Sequence, residues 1–237
     1  MAKSRIIKDL ANGEVDTITA LKRAKVLLVD LGDAEILNWI NHEITGYPED
    51  AVLPPYRITS GRLVGSYIRG IMTSHLTYTN VPIPLGEIDD DARETLLSIQ
   101  FREGIDALKT LLEDSAKRDR RLCKVLPADI FPYISMSNHD PYMSITSAHI
   151  EFGAQCITDI FSSVENRLLD VLLLLEKEFG CLDELDLDCE SKSKKELQSI
   201  SASVVNIIFN DNRVSIGDGN KIKDSTIASS VDEKELE

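Results

Sequence analysis

The chain has 237 residues, 43% of them hydrophobic and 28% charged, with 40 acidic against 26 basic residues and a net charge of −14. That length holds one good core plus an appendage. The acidic balance argues against unspecific nucleic-acid binding, which needs concentrated Lys and Arg. The longest apolar run, Val171–Leu175, falls far short of the ~20 residues of a spanning helix, and no apolar stretch follows the first basic residues. Cys123, Cys156, Cys181 and Cys189 form no C-x-x-C, so reduced thiols in a cytoplasmic protein, away from any membrane, are expected.

In chain order, Ser4 is placed to cap a short helix through Leu10, ended by Asn12-Gly13. A second helix is predicted from Asp16-Thr17, with Ile18, Leu21, Leu28 and Leu31 on one stripe, and Gly32 stops it. Asp33 then caps a third helix whose buried face is Ile36, Trp39, Ile40 and Ile44. Two helices joined by a single Gly-Asp turn must form a hairpin. The third helix stops at Gly46, and Tyr47-Pro48 and Pro54-Pro55-Tyr56-Arg57 fix an extended loop, because Pro locks φ and biases the preceding residue away from helix.

These residues carry a resemblance. Lys25–Gly32, Trp39, Gly46-Tyr47, Leu53-Pro54 and Tyr56-Arg57 resemble the AbiTii family, bacterial proteins linked to abortive infection, over about the first 180 residues. The resemblance implies a role in antiphage defence and supplies no reaction. Trp39, Tyr47, Tyr56 and Arg57 are the most distinctive set. In one reading Tyr47 and Tyr56 clamp the Pro-rich loop onto the hairpin, with Arg57 bonded to a carboxylate or to helix-end carbonyls. In the other they form a small recognition groove.

From Arg57 to Thr79, repeated Gly and alternating β-branched residues predict two or three short strands. Asp89–Asp91 can cap a helix carrying Leu96, Leu97 and Ile99, and Ile105, Leu108, Leu111 and Leu112 form the next stripe. Pro127, Pro132 and Pro141 cut 125–143 into turns. Ile157, Phe161, Val164, Leu168, Val171 and Leu175 are spaced 4-3-4-3-4, the pattern of a coiled-coil seam, on a helix predicted over Ser147–Phe179. Leu169 and Leu172–Leu174 widen the stripe beyond a narrow seam. It suits an intramolecular core, with self-association on the remainder of the face.

Two segments concentrate charge. Ala116–Lys124 carries five basic residues and one acid, and Leu182–Glu190 five acids and no base. Both read as solvated faces or linkers, or as partners in an ion-paired contact. Beyond them, alternating β-branched residues with Asn, Asp and Gly predict strands near Val204–Phe209, Arg213–Ile216 and Ile222–Ile227, with Val205, Ile207, Phe209, Val214, Ile216, Ile222 and Ile227 inward. So small a sheet is marginal alone; its rungs look like turns of a β-solenoid that stacks with copies of itself. Tails of this flavour also accompany AbiTii-like domains, as the resemblance implies.

Chemistry is sparse. His42-Glu43 begins an H-E-x-x-H pattern that fails at Gly46, and His75, His139 and His149 lack ligand spacing. Asp89-Asp90-Asp91 suits helix capping better than a cation, and Gly217–Asn220 reads as a turn. Cys123 lies among Arg120, Arg121 and Lys124 without an assigned His partner. No P-loop and no G-x-S-x-G elbow occurs. No catalytic residue, metal or cofactor is assigned.

The expected fold is α+β and mainly α: a helical domain over 1–180 with a small antiparallel β insertion near 57–80 and a long C-terminal helix. An acidic linker follows over 181–199, then a short β-solenoid-like tail over 200–230 and a disordered end over 231–237. The expected function is a non-enzymatic, homo-oligomeric interaction protein of antiphage defence that binds a phage or host protein. Two alternatives stand beside it. One is a metal-dependent nuclease or other toxic hydrolase using His42, Glu43, Asp89 and Asp90; the other is a regulator acting with a neighbouring gene product.

Overall fold

The computed structural model describes residues 3–71, 73–118 and 121–209. The first three helices are α1 (Arg5–Ala11), α2 (Thr17–Val29) and α3 (Ala34–Thr45). Asp16 accepts from the Thr19 N–H and Asp33 from the Glu35 and Ile36 N–H groups, so both hairpin helices begin on a carboxylate that satisfies free first-turn donors. The buried stripe of α2 is Ala20, Leu21, Ala24, Leu27 and Leu28, rotated from the expected one, and Ile18 and Leu31 are only half-buried. The two alanines face inward because a close helix neighbour needs a small side chain there.

A 3-10 turn, Pro55–Arg57, leads into β1 (Ile58–Ser60), β2 (Arg62–Ile71) and β3 (Ser74–Pro82). Next come α4 (Asp90–Leu97), β4 (Ser98–Gln100), α5 (Ile105–Arg118), β5 (Leu122–Val125), α6 (Phe131–Ser137) and β6 (Met143–Phe152). β1 pairs with β4, and the larger antiparallel sheet has the order β3-β2-β6-β5. The fold is therefore α+β and mainly α, as the sequence predicts, but the sheet reaches well beyond 57–80.

The difference comes from β6. Ser147–Glu151, expected as the start of the long helix, pairs with β2 (Arg62↔Glu151, Leu63↔Ile150), and His149 is a strand residue. Met143 and Ile145 are buried, then Ala148 and Ile150. A register shift beside Ser66 and Tyr67 separates the two pairs, so the alternation changes parity midway. Ile99 likewise belongs to β4 rather than to the preceding helix.

The long helix, α7 (Gln155–Phe179), packs on α1, α2 and α5. Ile157, Val164, Leu168, Val171 and Leu175 are fully buried within this one chain, and Phe161 is half-buried. The stripe thus serves the chain's own core.

Residues 181–199 have a linker's composition yet dock on the body: Leu182 and Leu187 are buried, and the Leu187 N–H donates to Asp30 Oδ2. The final described element, α8 (Lys194–Phe209), overturns the strand expected at Val204–Phe209. Ile200, Val204 and Ile208, four residues apart, are buried against α3 and α7, so the helical period wins over the apparent alternation. Val205 and Ile207 are half-buried and Phe209 is exposed. The expected strands Arg213–Ile216 and Ile222–Ile227, with Val214, Ile216, Ile222 and Ile227, and the end 231–237 lie outside the described residues.

Candidate functional site

The third helix carries a carboxylate where its apolar stripe predicts a hydrophobe. Ile36, Trp39, Ile40 and Glu43 are its buried residues, whereas Ile44 is half-buried. Glu43 and Arg57 both have fully buried side chains and pair at 2.6 Å. Arg57 Nη2 donates to Glu43 Oε2 and Nε to Oε1, a bidentate fork. Its Nη1 donates to the carbonyls of Phe101 (3.0 Å) and Glu103 (2.7 Å).

Two phenols complete the carboxylate's shell. Tyr47 and Tyr56 each donate to Glu43 Oε1 at 2.6 Å, and Trp39 Nε1 donates to the Tyr56 hydroxyl at 3.0 Å. The Arg57 guanidinium also lies 4.8 Å from the Tyr47 ring centroid, and that of Arg167 lies 4.4 Å from the Tyr56 ring. The sequence-selected set Trp39, Tyr47, Tyr56 and Arg57 is thus brought together, and the clamp reading holds. Arg57 takes a carboxylate and two chain carbonyls beside α5. Sequence reasoning missed Glu43 as the centre of the set. The available signal was its position on the buried face of α3, where an unpaired charge has no place.

The backbone holds the cluster from both sides. Gly46 has φ +102°, its N–H donates to His42 O, and it bridges to Glu103. The Tyr47 N–H donates to Arg102 O at 2.7 Å, and Arg102 Nη1 donates to the carbonyls of Pro48 and Ala51. Helix α3, the Pro-rich loop and the strand leading to α5 are therefore stitched at one point.

The two phenols and the guanidinium hold their protons firmly. Burial, then the charge of Glu43, pushes the Tyr47 and Tyr56 hydroxyls far above the ordinary phenol range. Burial alone would lower Arg57, but the Glu43 charge and hydrogen bonds outweigh it and the net shift is upward. Two neutral phenols and a guanidinium cation thus surround the carboxylate as a lock.

The other candidates stay apart. Asp89 caps α4, accepting from the Asp91 and Ala92 N–H groups, which is the structural reading of the acidic triplet. His42 lies against Tyr47 with ring centroids 4.9 Å apart, and His139 contacts Glu87 on the surface. Glu43 is fully buried with its oxygens taken by Arg57, Tyr47 and Tyr56, whereas Asp89 and Asp90 are exposed. Among the described residues no group of three His, Cys, Asp or Glu side chains could hold a metal ion. Gly217–Asn220 lies outside the described residues. The basic segment ends on Arg121, paired with Glu151, and Lys124, bonded to Ser98 O; in the acidic one Asp183 takes the Arg5 N–H.

Fold and site together define a mainly helical α+β domain organised around a buried carboxylate–guanidinium lock. The chain belongs to the AbiTii family, whose match covers residues 4–200. It is an abortive-infection domain, and the protein's place is in antiphage defence. The match ends inside α8, which the structure also places in the domain. No curated protein and no solved structure matches the chain. Among the described residues no helix is long and apolar enough to cross a membrane.

Proposed function

We propose that the protein acts in abortive infection as a non-enzymatic, self-assembling interaction protein of the cytoplasm, its helical domain binding a phage or host protein. The observation that carries this reading is the lock itself. Trp39, Gly46, Tyr47, Tyr56 and Arg57, all among the residues that carry the family resemblance, are spent on holding α3, the Pro-rich loop and the segment before α5 together. Among the described residues no buried side-chain nitrogen or oxygen is left unpartnered, so the polar atoms of that centre are used within the chain itself. With the stripe of α7 turned inward, assembly falls to the sequence beyond α8, where Val214, Ile216, Ile222 and Ile227 alternate with polar residues.

The test compares the full chain with one ending at Phe209, by light scattering at matched concentration. The shorter chain keeps every described core residue and is expected to have a lower assembly mass. An unchanged mass rejects the terminal segment as the assembly element.

A further inference from the structure

One end of the four-stranded sheet carries an apolar knob beside an apolar pocket. The knob is the β2–β3 hairpin end, where Ile71 pairs with Ser74 and Arg69 with Leu76. Ile71 and Leu76 are exposed, Leu76 to 65%. The pocket, of about 530 Å³, lies between α6 and the start of β6 and is lined by Phe131, Pro132, Met136, Pro141, Met143 and Ile145 among others. Met136 is 75% exposed at its rim, and Tyr142 stands exposed close by. Knob and pocket are immediate neighbours: the Gly70 N–H donates to Tyr142 O, and Arg69 pairs with Asp140.

Charge marks the same area. In a chain with 28% charged residues, Gly70–Pro82 holds no Asp, Glu, Lys or Arg, and Leu126–Ile150 holds only Asp129 and Asp140. Asp140 is already matched by Arg69. Depletion of charge around exposed aromatic and Met side chains is the composition of an interface centre. For two copies that each carry −14, an approach through a charge-poor area brings few like charges together.

We infer that this end of the sheet is an interface between two copies of the chain, in which the Ile71/Leu76 knob of each enters the α6–β6 pocket of the other. Adjacent, complementary features on one surface suit a two-fold contact, where residue i meets j and j meets i. The inference shares with the proposed function only the idea of self-assembly. It names a surface within the described domain, separate from the terminal segment.

The test uses full-length chains and sedimentation velocity. Leu76→Lys and Met136→Glu each place a charge in both copies of the contact, and each alone is expected to halve the assembly mass. In an equimolar mixture, one contact pairs Lys with Glu and the other keeps both native partners, so the mass is expected to return to the wild-type value. Ile71→Lys gives the same readout should Leu76→Lys fail to fold. An unchanged mass in the single variants overturns the inference. So does a mixture that stays small, because the pocket then takes some other occupant. A monomeric wild type overturns both this interface and the terminal-segment reading. A chain ending at Phe209 that keeps its mass overturns the latter alone.

Discussion

Arg57 and Glu43 face each other at 2.6 Å with no exposure of either side chain, and they come from different elements: one ends the Pro-rich loop, the other lies inside α3. Burying two ions costs several kcal/mol each, which their attraction repays only when the remaining donors and acceptors are also filled. Here they are filled by two phenols and two main-chain carbonyls. The pair fixes where the loop enters the fold, because each ion takes its counter-charge from the other across two separate elements.

Removing one member strands the other. Glu43→Leu and Arg57→Met should each destabilise the protein by about 3–5 kcal/mol. The double variant should lose less than the sum, since neither charge is then left alone. Urea denaturation of the four proteins closes this cycle; simple additivity would show that the two residues act independently.

The two phenols should differ. Tyr47→Phe removes one donor to Glu43, whereas Tyr56→Phe removes a donor and also orphans the Trp39 N–H. An unsatisfied buried donor costs about 1–3 kcal/mol, so Tyr56→Phe should lower the melting temperature further. Trp39 is the only tryptophan, and its emission should shift in Tyr56→Phe and hold in Tyr47→Phe.

Parts of this arrangement are legible in the sequence because the signals are local. Asp16, Asp33 and Asp89 announce their helices by capping chemistry, and Gly46 announces the end of α3. The clustering of Trp39, Tyr47, Tyr56 and Arg57 follows from a loop rich in Pro that needs aromatic anchors. The rest depends on partners distant in sequence. The part of β6 from Ser147 on reads as helix because the bulge before it breaks the alternation, and only pairing with β2 decides the matter. Val204–Phe209 reads as strand because β-branched residues crowd there, yet the cleft between α3 and α7 selects the four-residue spacing of Ile200, Val204 and Ile208. The role of Glu43 as Arg57's partner is not legible, because a carboxylate on an apolar stripe makes sense only once Arg57 is seen beside it.

Gly46 tests the backbone side of the lock. At φ +102° a side chain is strained, and a Cβ there would lie 2.8 Å from Arg102 O. Gly46→Ala should therefore push the Tyr47 N–H off that carbonyl at a cost of about 1–3 kcal/mol. Faster proteolysis across 47–52 with the helical signal retained is the expected outcome. A wild-type cleavage rate would mean that the loop is held elsewhere.

A second anchor depends on pH. Glu176 on α7 accepts from Lys3 Nζ and from the Ser4 N–H and hydroxyl, and Ser4 Oγ in turn accepts from the Leu182 N–H. Burial would raise the Glu176 carboxyl, but these bonds outweigh it and hold it at about 2, below its ordinary 4.5. The folded state therefore favours the ionised form. Its contribution is complete above pH 4.5 and is lost as the pH falls toward 2. Glu176→Gln should flatten the stability–pH curve within that window and leave its shape above pH 5 unchanged. Hydrogen exchange of α1 amides should speed up on acidification in the wild type; an identical acid slope in both proteins would locate the titration elsewhere.

Where the chain is cut decides what truncation can reveal. Ending it after Ser199 removes Ile200, Val204 and Ile208, all buried, together with the Ile208 carbonyl that accepts from Arg167 Nε at 3.0 Å. Arg167 also covers Tyr56, so this loss reaches the lock. Deleting one large buried aliphatic side chain costs about 2–5 kcal/mol, and three together approach the whole stability of an ordinary domain, about 5–15 kcal/mol. The chain ending at Ser199 should thus be unfolded or aggregated at 25 °C, while the chain ending at Phe209 should melt cooperatively near the full-length temperature. Calorimetry separates the two. If both fragments fold equally well, α8 is an ornament on the domain, and the helix rather than the residues after it becomes free to mediate assembly.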